Sequence, residues 1–223
     1  MPRSNRTDVG GEIYHIINRA NGRSQIFNDP ADYILFEQLL LETKELVGMR
    51  ILAYCIMPNH WHLVLQPKND GDLGIFMHRI SNAHTRKVHA KTQTNGSGHL
   101  YQGRYKSFLV DNDNYLLALI KYVERNSVRA KLVGLCEDWQ WGSAWRRTNG
   151  NKEQMKLLDE SPTPFPENYQ QWINTPDKEE DLLNIRASLN KGVPYGREKW
   201  VDQMVVKHHL ESTMKNPGRP KKR

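Results

Sequence analysis

Apolar residues recur along the first 126 positions in two patterns, which together predict an alternation of strands and helices. Short runs rich in Ile, Leu and Val between turn residues are typical of strands, whereas apolar residues three and four positions apart are typical of helices. The predicted strands are 12–18, 49–57, 60–66 and 106–110, and the predicted helices are 29–48, 73–91 and 113–126.

The ends and faces of the first two helices are also predicted. Asp29 caps the first helix ahead of Pro30, and Gly48 follows its last apolar position. In the second helix Arg79 and Arg86 share one face. The residues expected to face the core from that helix are Ile75, Phe76, Ile80, Ala83 and Val88.

The order strand, helix, strand, strand, helix, strand, helix predicts an α+β fold of the ferredoxin-like class. Such a fold is an antiparallel sheet with packed helices, which we expect on one face. The strand that begins at His60 is expected to be central.

The pattern changes after residue 135. Three tryptophans lie within seven residues, and the proline-rich run 161–166 excludes regular structure. Short helices are expected at 168–172 and 181–189. We therefore predict a sheet domain at 10–135, a small, mostly helical C-terminal appendage at 136–210 and a basic tail at 211–223.

Composition indicates a soluble, cytoplasmic protein with a polyanionic partner. The chain has 223 residues, two cysteines and a formal net charge of +7, and no apolar run approaches the length of a membrane span. No acidic residue occurs between Leu73 and Val110, a stretch that favours phosphate contacts over a merely solvated face. The basic residues expected to bind nucleic acid there are Arg79, Arg86, Lys87, Arg104 and Lys106.

The basic tail offers one more candidate for nucleic-acid binding. Arg219 lies between Gly218 and Pro220, in a segment that can run extended along a minor groove. The alternative is a disordered, solubilising tail.

The most specific chemical signal is His60-Trp61-His62, directly after a predicted turn. Side chains alternate along a strand, so both imidazoles leave one face and Trp61 enters the other, where it anchors the strand. Two neutral imidazoles presented together can bind a divalent cation, although such a pair also occurs as ordinary polar surface.

The last predicted helix offers residues that complete such a site. Tyr122 and Asn126 lie four apart at the edge of its apolar face, so a phenol can act as nucleophile while an amide oxygen binds the cation. To attack, the phenol must lose its proton, which calls for the field of the cation, a nearby basic residue such as Lys121 or Arg125, or a water relay. The alternative is that Tyr122 only packs. Tyr115 is a weaker candidate because the residue one helical turn on is Leu119, which cannot bind a cation, and Tyr101 and Tyr105 are weaker because they precede the fourth strand without a helix to aim them.

In combination, these motifs resemble the REP-associated tyrosine transposases, a branch of the single-tyrosine HUH transposases. His60-Trp61-His62 resembles their His-hydrophobic-His motif, and Tyr122 with Asn126 resembles their nucleophile helix. The similarity covers about 12–145. The further segments that carry it are 14–19, 98–107 and 125–130.

The resemblance implies a metal-dependent endonuclease and strand transferase that cuts and rejoins single-stranded DNA beside REP-type hairpins in bacteria. Tyr122 would form a 5′-phosphotyrosine intermediate, and His60, His62 and Asn126 would bind Mg²⁺ or Mn²⁺. It implies a monomer or weak homodimer associated with the nucleoid. Two alternatives stay open: a hairpin-specific nucleic-acid-binding protein with vestigial chemistry, and a metal-dependent phosphohydrolase that uses water.

Overall fold

A four-stranded antiparallel sheet forms the centre of the protein. The computed structural model describes residues 7–94, 96 and 98–215. The strands are β1 (Ile13–Arg19), β2 (Arg50–Met57), β3 (His60–Gln66) and β4 (Lys106–Val110), in the order β2-β3-β1-β4. The histidine strand β3 is central, as predicted, and the sheet with packed helices confirms the α+β class.

Helices cover both faces of the sheet, not one. α1 (Pro30–Val47) and α2 (Asp72–Thr92) pack on the face that carries Trp61, while α3 (Asn114–Glu124) packs on the face that carries Cys55 and Val64. The prediction of one covered face was wrong because β2 and β3 are apolar on both sides. Seven consecutive residues of β2 and five of β3 are buried, so each face needs its own cover.

Local signals explain the first helix. Asp29 and Asp32 form a reciprocal capping box at the start of α1, with Pro30 in its first turn. Gly48 ends it in the left-handed region at φ 75°, a conformation that other residues adopt only with strain. Both predicted boundaries are confirmed.

The second helix differs from its prediction in which residues are buried. Phe76, Ile80 and His84, four apart, form its inward stripe, whereas Ile75 is 51% exposed. Its N-terminus is capped from a distant part of the chain, because the Asp8 carboxylate accepts hydrogen bonds from Leu73 N (3.1 Å) and Gly74 N (2.7 Å).

The chain after Leu135 covers both edges of the sheet. At the β2 edge, Ser143 Oγ accepts from Tyr54 N at 3.0 Å and Asp159 Oδ2 accepts from Ile51 N at 2.8 Å. At the β4 edge, Tyr195 exchanges backbone hydrogen bonds with Leu109 and Asp111. Unpaired strand edges promote aggregation, and this segment satisfies them.

Helices in this region are more numerous than predicted. After α3 the described residues form α4 (Asn126–Arg129), α5 (Ser143–Asn149), α6 (Lys152–Met155), α7 (Tyr169–Asn174), α8 (Glu179–Lys191), α9 (Glu198–Lys207) and α10 (Glu211–Met214). Of these, α7 and α8 occur where short helices were expected. None of the helices within the described ranges is long and apolar enough to cross a membrane.

We expect Asp8→Ala to lower the free energy of unfolding by about 1 kcal/mol, because two backbone N–H groups of α2 lose their acceptor. Urea denaturation measures the change. Asp202→Ala, which removes an exposed carboxylate from α9, is the control and should cost no stability. Equal stability of the Asp8→Ala protein and the native protein would contradict the capping role.

Candidate active site

A cavity of about 470 Å³ opens where β1, β3 and β4 meet α3 and α8. It contains both histidines of β3 together with Tyr122 and Asn126, although these two residues follow the histidines by about sixty positions in the sequence. The other lining residues are Ile17, Asn18, Arg19, Gln102, Gly103, Arg104, Lys106, Leu189 and Asn190.

The two histidines project from the same face of β3, as predicted. Their ring centroids are 5.2 Å apart and the ring planes meet at 73°. Trp61 enters the opposite face, where it is fully buried and packs against Phe36. The alternation of the strand therefore presents both imidazoles to the cavity.

Trp61 also holds the loop that forms one wall of the cavity. Its indole N–H donates to the Tyr101 hydroxyl at 3.0 Å, and that hydroxyl lies 2.6 Å from Nδ1 of the buried His84. Gln102 N donates to Arg19 O at 2.9 Å, so the loop is also tied to β1. Tyr101 is thereby committed to structure and is not a rival nucleophile.

The hydrogen bonds of Asn59 fix the tautomer of His60. Asn59 Nδ2 donates to Arg23 O at 3.1 Å, which turns Oδ1 toward the imidazole, and His60 Nδ1 lies 2.7 Å from that oxygen. An amide oxygen only accepts, so Nδ1 carries the proton and Nε2 carries the lone pair. His60 is thus prepared to bind a cation through Nε2.

His62 has a different partner, one that the sequence did not indicate. Its Nδ1 lies 2.9 Å from Nε2 of His15, a fully buried residue of β1. Burial lowers the pKa of His15 to about 3, and burial together with the neighbouring His15 and His60 holds the pKa of His62 well below its usual range. Both rings are therefore neutral at physiological pH.

Tyr122 lies against the histidines and beneath an arginine. Its ring centroid is 6.0 Å from that of His62, and Cζ of Arg129 lies 4.1 Å from the ring centroid. Arg129 also donates to Tyr122 O, and the buried Asp177 binds both Arg129 (3.1 Å) and Arg125 (3.0 Å).

The basic residue that contacts the Tyr122 ring is Arg129, whereas the sequence suggested Lys121 or Arg125. Lys121 Nζ donates to Thr175 Oγ1 at 2.6 Å, and Arg125 is held by Asp177 and Ile173 O. Among the described residues lining the cavity, Tyr122 is the one tyrosine. Tyr115 instead packs edge-on against Tyr195, with ring centroids 5.2 Å apart.

Asn126 begins a new short helix instead of ending α3, because the chain leaves the regular helix at Arg125. Its Nδ2 donates to Tyr122 O and Val123 O, both at 3.2 Å. Both amide hydrogens are thereby directed toward the end of α3, which leaves Oδ1 as the atom available to a cation.

Only part of the predicted DNA-binding set lies at this cavity. Arg104 and Lys106 line it. Arg79 and Arg86 line a separate groove between α1 and α2, and Lys87 is exposed on α2. Arg219 lies outside the described residues.

Arg19 is a cavity residue that sequence reasoning missed. Its Nε is buried without a hydrogen-bond partner among the described residues. Burial first, and then the charge of Arg19, lower the pKa of His60 to about 4. A guanidinium beside neutral histidines is suited to an anion such as a phosphate.

The donor set fits a divalent cation that keeps open positions. It offers two imidazole nitrogens and one amide oxygen; within the described chain no group of three His, Cys, Asp or Glu residues could hold a metal. The nearby carboxylate of Glu124 is engaged by Ser143, Arg147 and Tyr169. Three protein ligands leave coordination sites for substrate and water, as catalysis requires.

Comparison with known proteins gives consistent matches. The family described as "Transposase IS200 like" matches residues 9–126, more than half of the chain. A Haemophilus influenzae protein named "Putative REP-associated tyrosine transposase" is 27% identical over 124 residues, which are 52% of this chain and 70% of that protein.

A solved structure shares the fold. It is the structure of a REP-associated tyrosine transposase bound to a REP hairpin. The two superpose with a TM-score of 0.55 at 20% sequence identity, and the match covers 66% of this chain and 84% of the other.

We expect the free energy of unfolding to fall as the pH is lowered from about 6.5 to 4. In the folded protein burial lowers the pKa of His15 to about 3 and the pKa of His84 to about 4, whereas the unfolded chain takes up protons near pH 6.5. The unfolded state binds more protons across that interval, and each such histidine contributes up to about 1.4 kcal/mol per pH unit. Urea denaturation at several pH values measures the slope.

His84→Gln is the matched variant, since it removes one of these groups on the face opposite the cavity. Its slope should be smaller by up to about 1.4 kcal/mol per pH unit. An unchanged slope would show that His84 titrates normally in the folded protein.

Proposed function

The chain belongs to the IS200-like transposase family, and from that premise we propose that it cleaves and rejoins single-stranded DNA with Tyr122 as nucleophile. The observation that carries the proposal is the convergence of Tyr122, Asn126, His60 and His62 on one cavity. These residues come from β3, α3 and α4, so the site is assembled within a single chain.

His60, His62 and Asn126 are the proposed ligands of Mg²⁺ or Mn²⁺. The ion would polarise the scissile phosphate and neutralise charge on its non-bridging oxygen. The chain prepares these ligands: Asn59 orients His60, and the hydrogen bonds of Asn126 to the end of α3 leave its oxygen available.

Tyr122 attacks the phosphorus in line, forming the phosphotyrosine bond as the bond to the 3′ oxygen breaks. The products are a 5′-phosphotyrosine and a free 3′-hydroxyl. Cζ of Arg129 lies 4.1 Å from the centroid of the phenol ring, so its positive charge would favour the negative charge that develops on the phenol. Asp177 keeps Arg129 in that position.

Arg19, Arg104 and Lys106 are suited to hold the DNA backbone at the cavity. The phosphotyrosine retains the energy of the broken phosphodiester, so a second 3′-hydroxyl can reverse the step. No nucleotide cofactor is needed, in keeping with the absence of a Walker-type motif from the sequence.

The proposed substrate is DNA beside a REP-type hairpin. In support of this choice, the REP-associated tyrosine transposase that shares this fold was solved bound to a REP hairpin. In this view 10–135 is the nuclease domain, 136–210 braces its sheet edges, and 211–223, with Arg219, adds contacts to the minor groove. Such a protein would act as a monomer or weak homodimer at the bacterial nucleoid.

Tyr122→Phe should abolish covalent capture of DNA, because no other hydroxyl among the described residues that line the cavity can replace the phenol. The assay incubates the full chain with end-labelled, single-stranded hairpin DNA and Mn²⁺, then separates a protein–DNA adduct under denaturing conditions. Tyr115→Phe, on the same helix but packed against Tyr195, is the control and should form the adduct normally.

The same assay separates the alternatives. Cleavage without an adduct would indicate a phosphohydrolase that uses water. Retention of DNA without cleavage, unaffected by Tyr122→Phe, would indicate a binding protein.

Arg104→Gln should slow cleavage at saturating protein and lessen the dependence of DNA affinity on salt, because one phosphate contact at the cavity is lost. The slope of log affinity against log salt should fall by about 0.7 for a single-stranded contact. Arg86→Gln, in the groove away from the cavity, should leave single-turnover cleavage unchanged. Equal slowing by both variants would show that Arg104 has no special role at the cavity.

A further inference from the structure

His15 lies behind the proposed metal site, within hydrogen-bond distance of one ligand. It occupies β1, which pairs with β3 so that His15 is opposite Val64 and diagonal to His62 on the same face of the sheet. Its Nε2 is 2.9 Å from Nδ1 of His62, its ring packs against Phe108, and the whole residue is buried.

Two neutral imidazoles joined in this way share one proton, and its position decides what His62 can do. If His62 Nδ1 donates, its Nε2 carries the lone pair and can bind a cation. If His15 Nε2 donates instead, His62 Nε2 carries a hydrogen and cannot be a ligand.

The tautomers of the two proposed imidazole ligands are therefore determined in different ways. His60 faces the amide oxygen of Asn59, which can only accept, so its tautomer is fixed before a cation arrives. His62 faces a nitrogen that can accept or donate, so its tautomer depends on the state of His15.

The far side of His15 keeps both arrangements in competition. Its Nδ1 is buried and has no hydrogen-bond partner among the residues that the structure describes. When His62 donates, this Nδ1 carries an unpaired hydrogen; when His15 donates, it carries an unpaired lone pair, and either costs free energy in a buried position. The far side of His15 therefore excludes neither arrangement, and a cation at Nε2 of His62 decides between them.

We infer that His15 is a positioning residue that accepts the Nδ1 proton of His62 and directs the Nε2 lone pair of His62 into the cavity, toward the divalent cation. This rests on the proposed function for the identity of the ligands. The exchange of tautomers moves protons between ring nitrogens and water and leaves the net charge of the pair unchanged. Partners that orient metal-binding histidines commonly contribute ten- to a hundredfold in affinity.

The test compares Mn²⁺ affinity, measured by electron paramagnetic resonance titration of the full chain, in four proteins. His15→Phe keeps a ring but removes the acceptor, and should weaken binding about ten- to a hundredfold. His15→Gln restores an acceptor and should recover most of the affinity. Phe108→Leu disturbs the packing around His15 but keeps the His15–His62 bond, and should bind Mn²⁺ as the native protein does.

A spectroscopic measurement reads the proton directly. In ¹⁵N spectra of histidine-labelled protein with diamagnetic Mg²⁺, His62 should be protonated at Nδ1 in the native chain and in His15→Gln. Without Mg²⁺, the native chain should show both tautomers of His62.

Each outcome decides the inference. Equal Mn²⁺ affinity of His15→Phe and the native chain would overturn it and leave the proposed metal site standing. Equal losses in His15→Phe and Phe108→Leu, or no recovery in His15→Gln, would also overturn it, because packing alone would then explain the loss. Absence of Mn²⁺ binding by the native chain would overturn both this inference and the metal part of the proposed function.

Discussion

The antiparallel register between β1 and β3 is the constraint on which the candidate site depends. It pairs Ile17 with His62 and Arg19 with His60, and thereby brings Arg19 and His15 to the proposed ligands. A slip of one residue would turn one strand over relative to the other and send its side chains to the opposite face. Trp61, buried among the aromatic residues beneath α1 and α2, holds β3 in the register observed.

Charged contacts within the fold then place Tyr122, the proposed nucleophile, against that sheet. Asp177, far along the chain, binds Arg125 at the break between α3 and α4 and Arg129 at the end of α4. Glu124, at the end of α3, is fully buried and accepts hydrogen bonds from Ser143 and Tyr169. A buried carboxylate is stable only when it is paired, so these contacts favour one position of the helix end that carries Tyr122 and Asn126.

Local patterns were sufficient for most of the fold. Strand β3 and strand β4 occupy the predicted residues, Asp29 and Gly48 bound α1 as expected, and the spacing of Tyr122 and Asn126 placed both at the cavity. Their roles as nucleophile and ligand stay a prediction. The second covered face was missed because unbroken apolar strands show burial without showing what covers them. His15 was missed as a site residue because its partner His62 lies 47 positions away. Arg129 was missed because its position over the Tyr122 ring depends on an ion pair with Asp177, 48 positions away.

The electrostatics of the cavity favour a phosphate once these pieces are in place. Arg19 and Arg129 contribute positive charge, and both add to the lowering of the pKa of His62, after the larger effects of burial and of the neighbouring His15 and His60. Burial thus keeps the imidazoles in the neutral form that can bind a metal ion, and the positive charge of the arginines acts in the same direction. The proposed grip on DNA and the proposed metal ligands would thus share one positively charged cavity with neutral imidazoles, and the buried His15–His62 pair adds direction to a site that charge alone would leave unoriented.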